Sequence, residues 1–172
     1  MEESEMIWDD VIDPATGWLV PGRHFAELDE IQDEFGRAED RARICRALRE
    51  LLEALKPLIV SGTALISGTF VSRQPGPCEA PMVVVSPHDE STLESWTDAE
   101  ELRFMHHESL EDVLVGSLGG SYLATLDPLG GAVQVYYSAP SDLDNWEQLI
   151  GAVTMSSGTD ILGARGVVEV EW

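Results

Sequence analysis

Four apolar residues in a row, Met82-Val83-Val84-Val85, closed by Ser86-Pro87, constrain this chain more than any other feature of its sequence. A strand with one wet face alternates apolar and polar residues, whereas a run without alternation has both faces buried. The sheet that holds this run must therefore be covered by helices. Another strand-like run, Thr63-Ala64-Leu65-Ile66-Ser67, precedes it and leads into Gly68-Thr69-Phe70-Val71-Ser72. A polar connection rich in proline and glycine, from Arg73 to Pro77, separates the two.

The covering helices are legible from periodicity. Ile44, Cys45, Leu48, Leu51, Leu52 and Leu55, continued by Leu58 and Ile59, form one stripe of a helix from about Ala38 to Leu55. Arg41, Arg43, Arg46, Arg49 and Glu50 lie off it, among acids with which they can pair. Phe25, Leu28, Ile31 and Phe35 predict a shorter helix before it, stopped by Gly36. Residues 90 to about 114 read as helical, with Ser91 or Thr97 as caps. A glycine-rich loop, Val115 to Gly120, follows. Two strands come next, Tyr122 to Thr125 and Ala132 to Tyr137, joined by the turn-rich Asp127-Pro128-Leu129-Gly130-Gly131. A helix from about Leu143 to Thr154 takes Ser141 as its cap and Leu143, Trp146, Leu149, Ile150 and Val153 as its stripe. The strand Gly166 to Val170 comes last. The expected fold is α/β or α+β: a small mixed sheet flanked by helices and preceded by two N-terminal helices. At 172 residues and 44% hydrophobic content, one domain with a real core is expected over residues 18–172. Residues 1–17, with six acids and no period, read as a mobile acidic lead.

Charge narrows the partners. Thirty-two acids against ten bases give a net charge of −22, and Lys56 is the one lysine. Phosphate backbones and anionic membrane surfaces are both repelled by such a chain, so no direct nucleic-acid binding and no membrane association are expected. The acidity makes the protein soluble, or shapes a surface for a basic protein partner, including by mimicry of a nucleic acid. The start is acidic rather than basic, unlike a signal peptide. The longest apolar stretch, about Leu55 to Phe70, is broken by Lys56, Pro57 and Ser61-Gly62. A cytoplasmic location is the expectation. Cys45 lies on the helix stripe, and with Cys78 it gives neither a disulfide framework nor a zinc spacing.

Ile66-Ser67-Gly68-Thr69-Phe70-Val71-Ser72, followed by Glu79-Ala80-Pro81 and the valine strand, resembles the signature of the polymerase-beta-type nucleotidyltransferase fold. In that pattern a strand ends in Gly-Ser and the next opens with Asp-x-Asp. The likeness is greatest to a little-characterised bacterial family of such proteins. It extends to Pro21-Gly22, to Glu34-Phe35-Gly36, to Trp146 and to Gly163 to Val170, so it spans about residues 18 to 172. Carboxylates on alternate strand residues share a side of the sheet, and with a third from a neighbouring strand they hold two divalent metals. The Gly-Ser turn offers backbone N–H groups to phosphates. Here Gly68-Thr69 stands for Gly-Ser and Glu79 for the first carboxylate. Pro81 falls where the second belongs, and Gln134 is all that the third strand offers. Asp142-Leu143-Asp144 has the right letters but sits at a helix start, where acids are explained by capping. The resemblance thus implies a degenerate site, with Gly68, Thr69 and Glu79 as its vestiges, no metal ligands and no cofactor.

Other constellations are weak. Adjacent His106-His107 point about 100° apart on a helix and form no i, i+4 chelating pair, and His88 reads as a surface residue. Gly116 to Gly120 is too loose for a nucleotide loop. Trp146 reads as core, whereas Trp8 and Trp96, in acidic stretches, are either locally packed or interface anchors. The expectation is a non-catalytic nucleotidyltransferase-like protein that binds a basic or otherwise complementary protein partner through its acidic face. An antitoxin, immunity or regulatory role in a bacterium or phage would fit. The alternatives are a divergent enzyme using Glu79, magnesium and a nucleotide, and an acidic decoy of a nucleic-acid-binding protein.

Overall fold

The computed structural model describes residues 7–94, 132–154 and 161–172. In chain order its elements are α1 (Trp8–Val11), β1 (Arg23–Phe25), α2 (Leu28–Phe35), α3 (Glu39–Leu55), β2 (Gly62–Ile66), β3 (Met82–Pro87), α4 (Ser91–Glu94), β4 (Gln134–Tyr137), α5 (Leu143–Gly151), β5 (Ala152–Thr154), β6 (Ile161–Ala164) and β7 (Val167–Glu171). Five strands form one mixed sheet in the order β1-β7-β2-β3-β4. The end pairs, β1 with β7 and β3 with β4, are parallel, and the two central pairs are antiparallel. β5 and β6 form a separate antiparallel ribbon. The chain is of the α+β class.

The valine run lies on β3, and its side chains divide between two cores. Val83 and Val85 belong to the larger cluster, with Ile31, Phe35, Leu48, Leu51 and Leu55 of α2 and α3. Val84 faces the other way and joins Leu65, Leu143, Ile150 and Val167 beneath α5. All three valines are fully buried, so the sheet is covered on both sides, as a strand without alternation requires. The α3 stripe is buried from Ile44 to Leu55, Cys45 included. At about 25 cal/mol per Å² of apolar surface removed from water, such a helix is held by its buried face rather than by propensity.

Several expectations are corrected. The sheet does not begin after two N-terminal helices, because β1 precedes α2 and enters the sheet beside β7. Phe25 is half exposed on β1 rather than on a helix stripe. A capping box resets the chain there: Glu27 is extended, its side chain accepts the N–H of Glu30, and the Glu30 carboxylate accepts the Glu27 N–H at 2.8 Å. Ser141 is not the cap of α5. A 3-10 turn over Pro140–Asp142 runs into that helix, whose N-cap, Asp142, makes no side-chain capping bond. The helix ends at Gly151, whose carbonyl is taken by the Arg165 N–H at 2.8 Å, and the chain turns into β5. Leu149 of the expected stripe is exposed.

Within the acidic segment, residues 7–17 pack on the body of the protein. Trp8 is buried, edge-on to Phe35 with ring centroids 4.8 Å apart. Asp13 accepts the Ala15 N–H and the Thr16 hydroxyl, each at 2.9 Å, and closes the turn that follows α1. Residues 1–6, the expected helix beyond residue 94 with Thr97, Trp96 and His106-His107, the glycine-rich loop at 115–120, the strand at 122–125 and the connection at 127–131 lie outside the described residues. Among the described residues no helix is long and apolar enough to cross a membrane.

Candidate functional site

The site occupies the end of the sheet where β2 finishes and β3, β4 and β7 begin. Ser67 extends the β2–β3 ladder by one bond, its N–H donating to Met82 O at 3.0 Å. Gly68 then takes φ +103° and ψ −173°, a backbone region that an L side chain rarely adopts. This lets the chain leave the sheet and wind into a 3-10 turn over Thr69–Val71, with Phe70 and Val71 driven into the core. The return limb comes back against the same turn. The Thr69 hydroxyl accepts the Glu79 N–H at 3.1 Å and lies 3.7 Å from the Cys78 sulfur. A Cβ placed on Gly68 would sit 3.6 Å from Pro81 Cα. Next door, Pro81 O accepts the Gln134 N–H at 2.9 Å. The structure therefore brings Gly68, Thr69, Glu79, Pro81 and Gln134 together.

The first turn of α3 holds both limbs. Arg41 donates to the carbonyl of Phe70, to that of Thr69 at 3.1 Å and to that of Gln74 at 3.3 Å. The Asp40 carboxylate accepts the Cys78 N–H at 2.9 Å and the Arg41 N–H at 2.9 Å. These bonds, that to Cys78 foremost, hold its carboxyl below the usual aspartate value. Arg41 thus pairs with backbone rather than with the local acids, unlike Arg49, which reaches Asp29 at 2.6 Å. Arg73, at the loop's start, is tied to Glu34 and Asp9, each at 2.7 Å. Burial pushes up both thiols, Cys78 and Cys45, which leaves them poor nucleophiles at neutral pH. Elsewhere, His88 Nε2 sits 2.9 Å from the Thr63 hydroxyl, and Trp146 packs against Tyr136 with centroids 5.3 Å apart.

Two groups at this end of the sheet escaped sequence reasoning. Arg165 stands in the corner between β6 and β7, and the register Ile66↔Val168 brings that corner beside Ser67 and Gly68. Its guanidinium carbon lies 4.4 Å from the Trp18 ring centroid. Its Nε is buried and, among the described residues, has no hydrogen-bond partner. Burial lowers its pKa and the nearby Glu79 carboxylate raises it. The Ser67 hydroxyl is likewise fully buried and unpartnered among the described residues. No local spacing announces Arg165, which comes from a corner distant in sequence, and Ser67, though inside the motif, is set apart only by the burial of its hydroxyl. A half-buried guanidinium beside one glutamate can balance that carboxylate or receive an anionic group. It disfavours a divalent cation at the same carboxylate, because the two positive charges repel. Among the described residues no three His, Cys, Asp or Glu side chains are grouped so as to share a metal ion.

A family model matches residues 12–171. The chain belongs to DUF6932, a family of unknown function. The DUF6932 match takes in all five strands of the sheet and both limbs of the Thr69–Glu79 loop, and leaves out Trp8. No curated protein and no solved structure matches the chain.

Proposed function

We propose that this member of DUF6932 is a non-catalytic protein of the nucleotidyltransferase-like fold that acts in the cytoplasm by binding another protein, as an antitoxin, immunity or regulatory factor does. The observation that carries this reading is the arginine at this end of the sheet: Arg165 lies beyond the Ile66↔Val168 register, its half-buried guanidinium 4.4 Å from the Trp18 ring centroid and within the field of Glu79. Where the resemblance calls for carboxylates around two divalent metals, this chain has one carboxylate, a proline and an arginine. The net charge of −22 favours a basic protein over nucleic acid as the partner.

Calorimetry with ATP or CTP, each with magnesium or manganese, tests this. The expected result is no saturable, metal-dependent heat. Binding that disappears in Glu79→Gln would overturn the reading in favour of a divergent nucleotidyltransferase. Capture from host lysate at low and high salt is the complementary arm, with a salt-sensitive protein partner expected. A partner that DNA displaces would mark the chain as an acidic decoy.

A further inference from the structure

Trp172 is fixed at both ends of its residue. Its backbone exchanges two hydrogen bonds with Gly62, each 3.1 Å, and its indole N–H donates to Ile59 O at 2.9 Å. The ring occupies the space that a side chain at position 62 would need, since a Cβ on Gly62 would lie 2.8 Å from the indole Cζ2. So held, the indole forms one wall of a groove of about 190 Å³ between α2, α3 and the end of β7. Leu28, Leu52 and Val170 supply the remaining apolar lining. The groove also contains two cations, and each is already matched: Arg49 with Asp29 and Lys56 with Glu53, both at 2.6 Å. Glu27 and Glu171 remain as an excess of negative charge beside the aromatic wall. Glu27 is engaged in its own helix cap, whereas Glu171 is half exposed, with His88 as far away as 4.0 Å.

We propose that this groove receives a basic segment of a partner protein, with one arginine or lysine side chain laid along the indole of Trp172 and its charge beside Glu171. The inference rests on the protein-binding reading above and names the chemistry of the partner. A groove lined by Leu28, Leu52 and Val170 alone would accept any apolar side chain. The surplus charge selects a cationic one, whose methylene stem covers apolar surface while its head meets the carboxylate. An indole whose N–H is already satisfied has no donor left for an anion, whereas its π system still attracts a cation. The field of a chain at −22 steers such a segment toward the protein.

A blocked tri-arginine peptide is the probe, titrated into the full chain at physiological salt. Binding is followed by calorimetry and by the indole N–H signals in two-dimensional NMR, with Trp172 assigned through Trp172→Phe. The expected result is saturable binding that moves the Trp172 signal above the other indoles. Glu171→Gln should weaken it about two- to fivefold, the size of one exposed ion pair, and Asp10→Asn on α1 should leave it unchanged. Absence of saturable binding, equal weakening by both variants, or shifts spread across the tryptophans would each overturn the groove assignment. Its failure differs from failure of the parent reading. A protein partner held as tightly by Glu171→Gln chains as by the parent removes the groove and keeps protein binding, whereas metal-dependent nucleotide binding removes the parent reading.

Discussion

Arg41 gives its guanidinium to three main-chain carbonyls in a molecule crowded with carboxylates. The loop from Gly68 to Glu79 leaves the sheet and carries carbonyls that no ladder satisfies, and a planar fork of N–H groups answers several of them at once. Hydrogen bonds made by a charged group contribute about 1.5–3 kcal/mol where they persist. Arg41→Met should therefore lower the unfolding free energy by about that much, read from the urea midpoint. Arg41→Lys should recover less than half of the loss, because an ammonium cannot span the Phe70, Thr69 and Gln74 oxygens. Equal stability of the lysine variant and the parent would show that charge alone matters there.

At the scale of elements, the start of α3 works as a clamp on the candidate site. Asp40 holds the Cys78 N–H from the helix's first turn, where a negative charge also suits the helix dipole. Its carboxyl titrates below the usual aspartate value, so the folded form binds its proton less readily than the unfolded one. Such a group stabilises the fold fully above about pH 3.9, the unfolded value, and loses that contribution as pH falls through the lower folded value. Asp40→Ala should accordingly be less stable than the parent at pH 7, and the gap should narrow below about pH 4 in urea unfolding followed against pH. A gap that stays constant would mean the carboxylate's charge plays no part. Elements with strong local patterns were legible beforehand: the α3 stripe, the valine strand and the strand before Gly68 all lie where periodicity put them. β1, β5 and β6 were not, because three or four residues carry no measurable period and their pairing is decided by strands elsewhere in the chain. Gly68, Thr69 and Glu79 were readable as neighbours since one short motif contains them. Ser67, Arg41 and Arg165 were not, since their roles come from burial and from contacts across the sheet and α3.

For the whole molecule, the imbalance of 32 acids over ten bases sets a self-repulsion that the local ion pairs cannot cancel. Salt shortens the Debye length from about 30 Å at 0.01 M to about 3 Å at 1 M. That screens the many unpaired carboxylates more than it weakens the few close pairs at Arg23, Arg49, Lys56 and Arg73. Raising the salt across that range should lift the Tm by a few degrees in calorimetry. A fall would mean that the close pairs outweigh the general repulsion. The strand order carries a separate consequence. β7 lies between β1 and β2, with Arg23 opposite Val167 and Thr63 opposite Glu171. Among the described strands β1 therefore has no neighbour in the sheet until β7 has been made. On a ribosome the helices α2 and α3 emerge well before β7 does, and this edge of the sheet closes by joining two segments far apart in sequence.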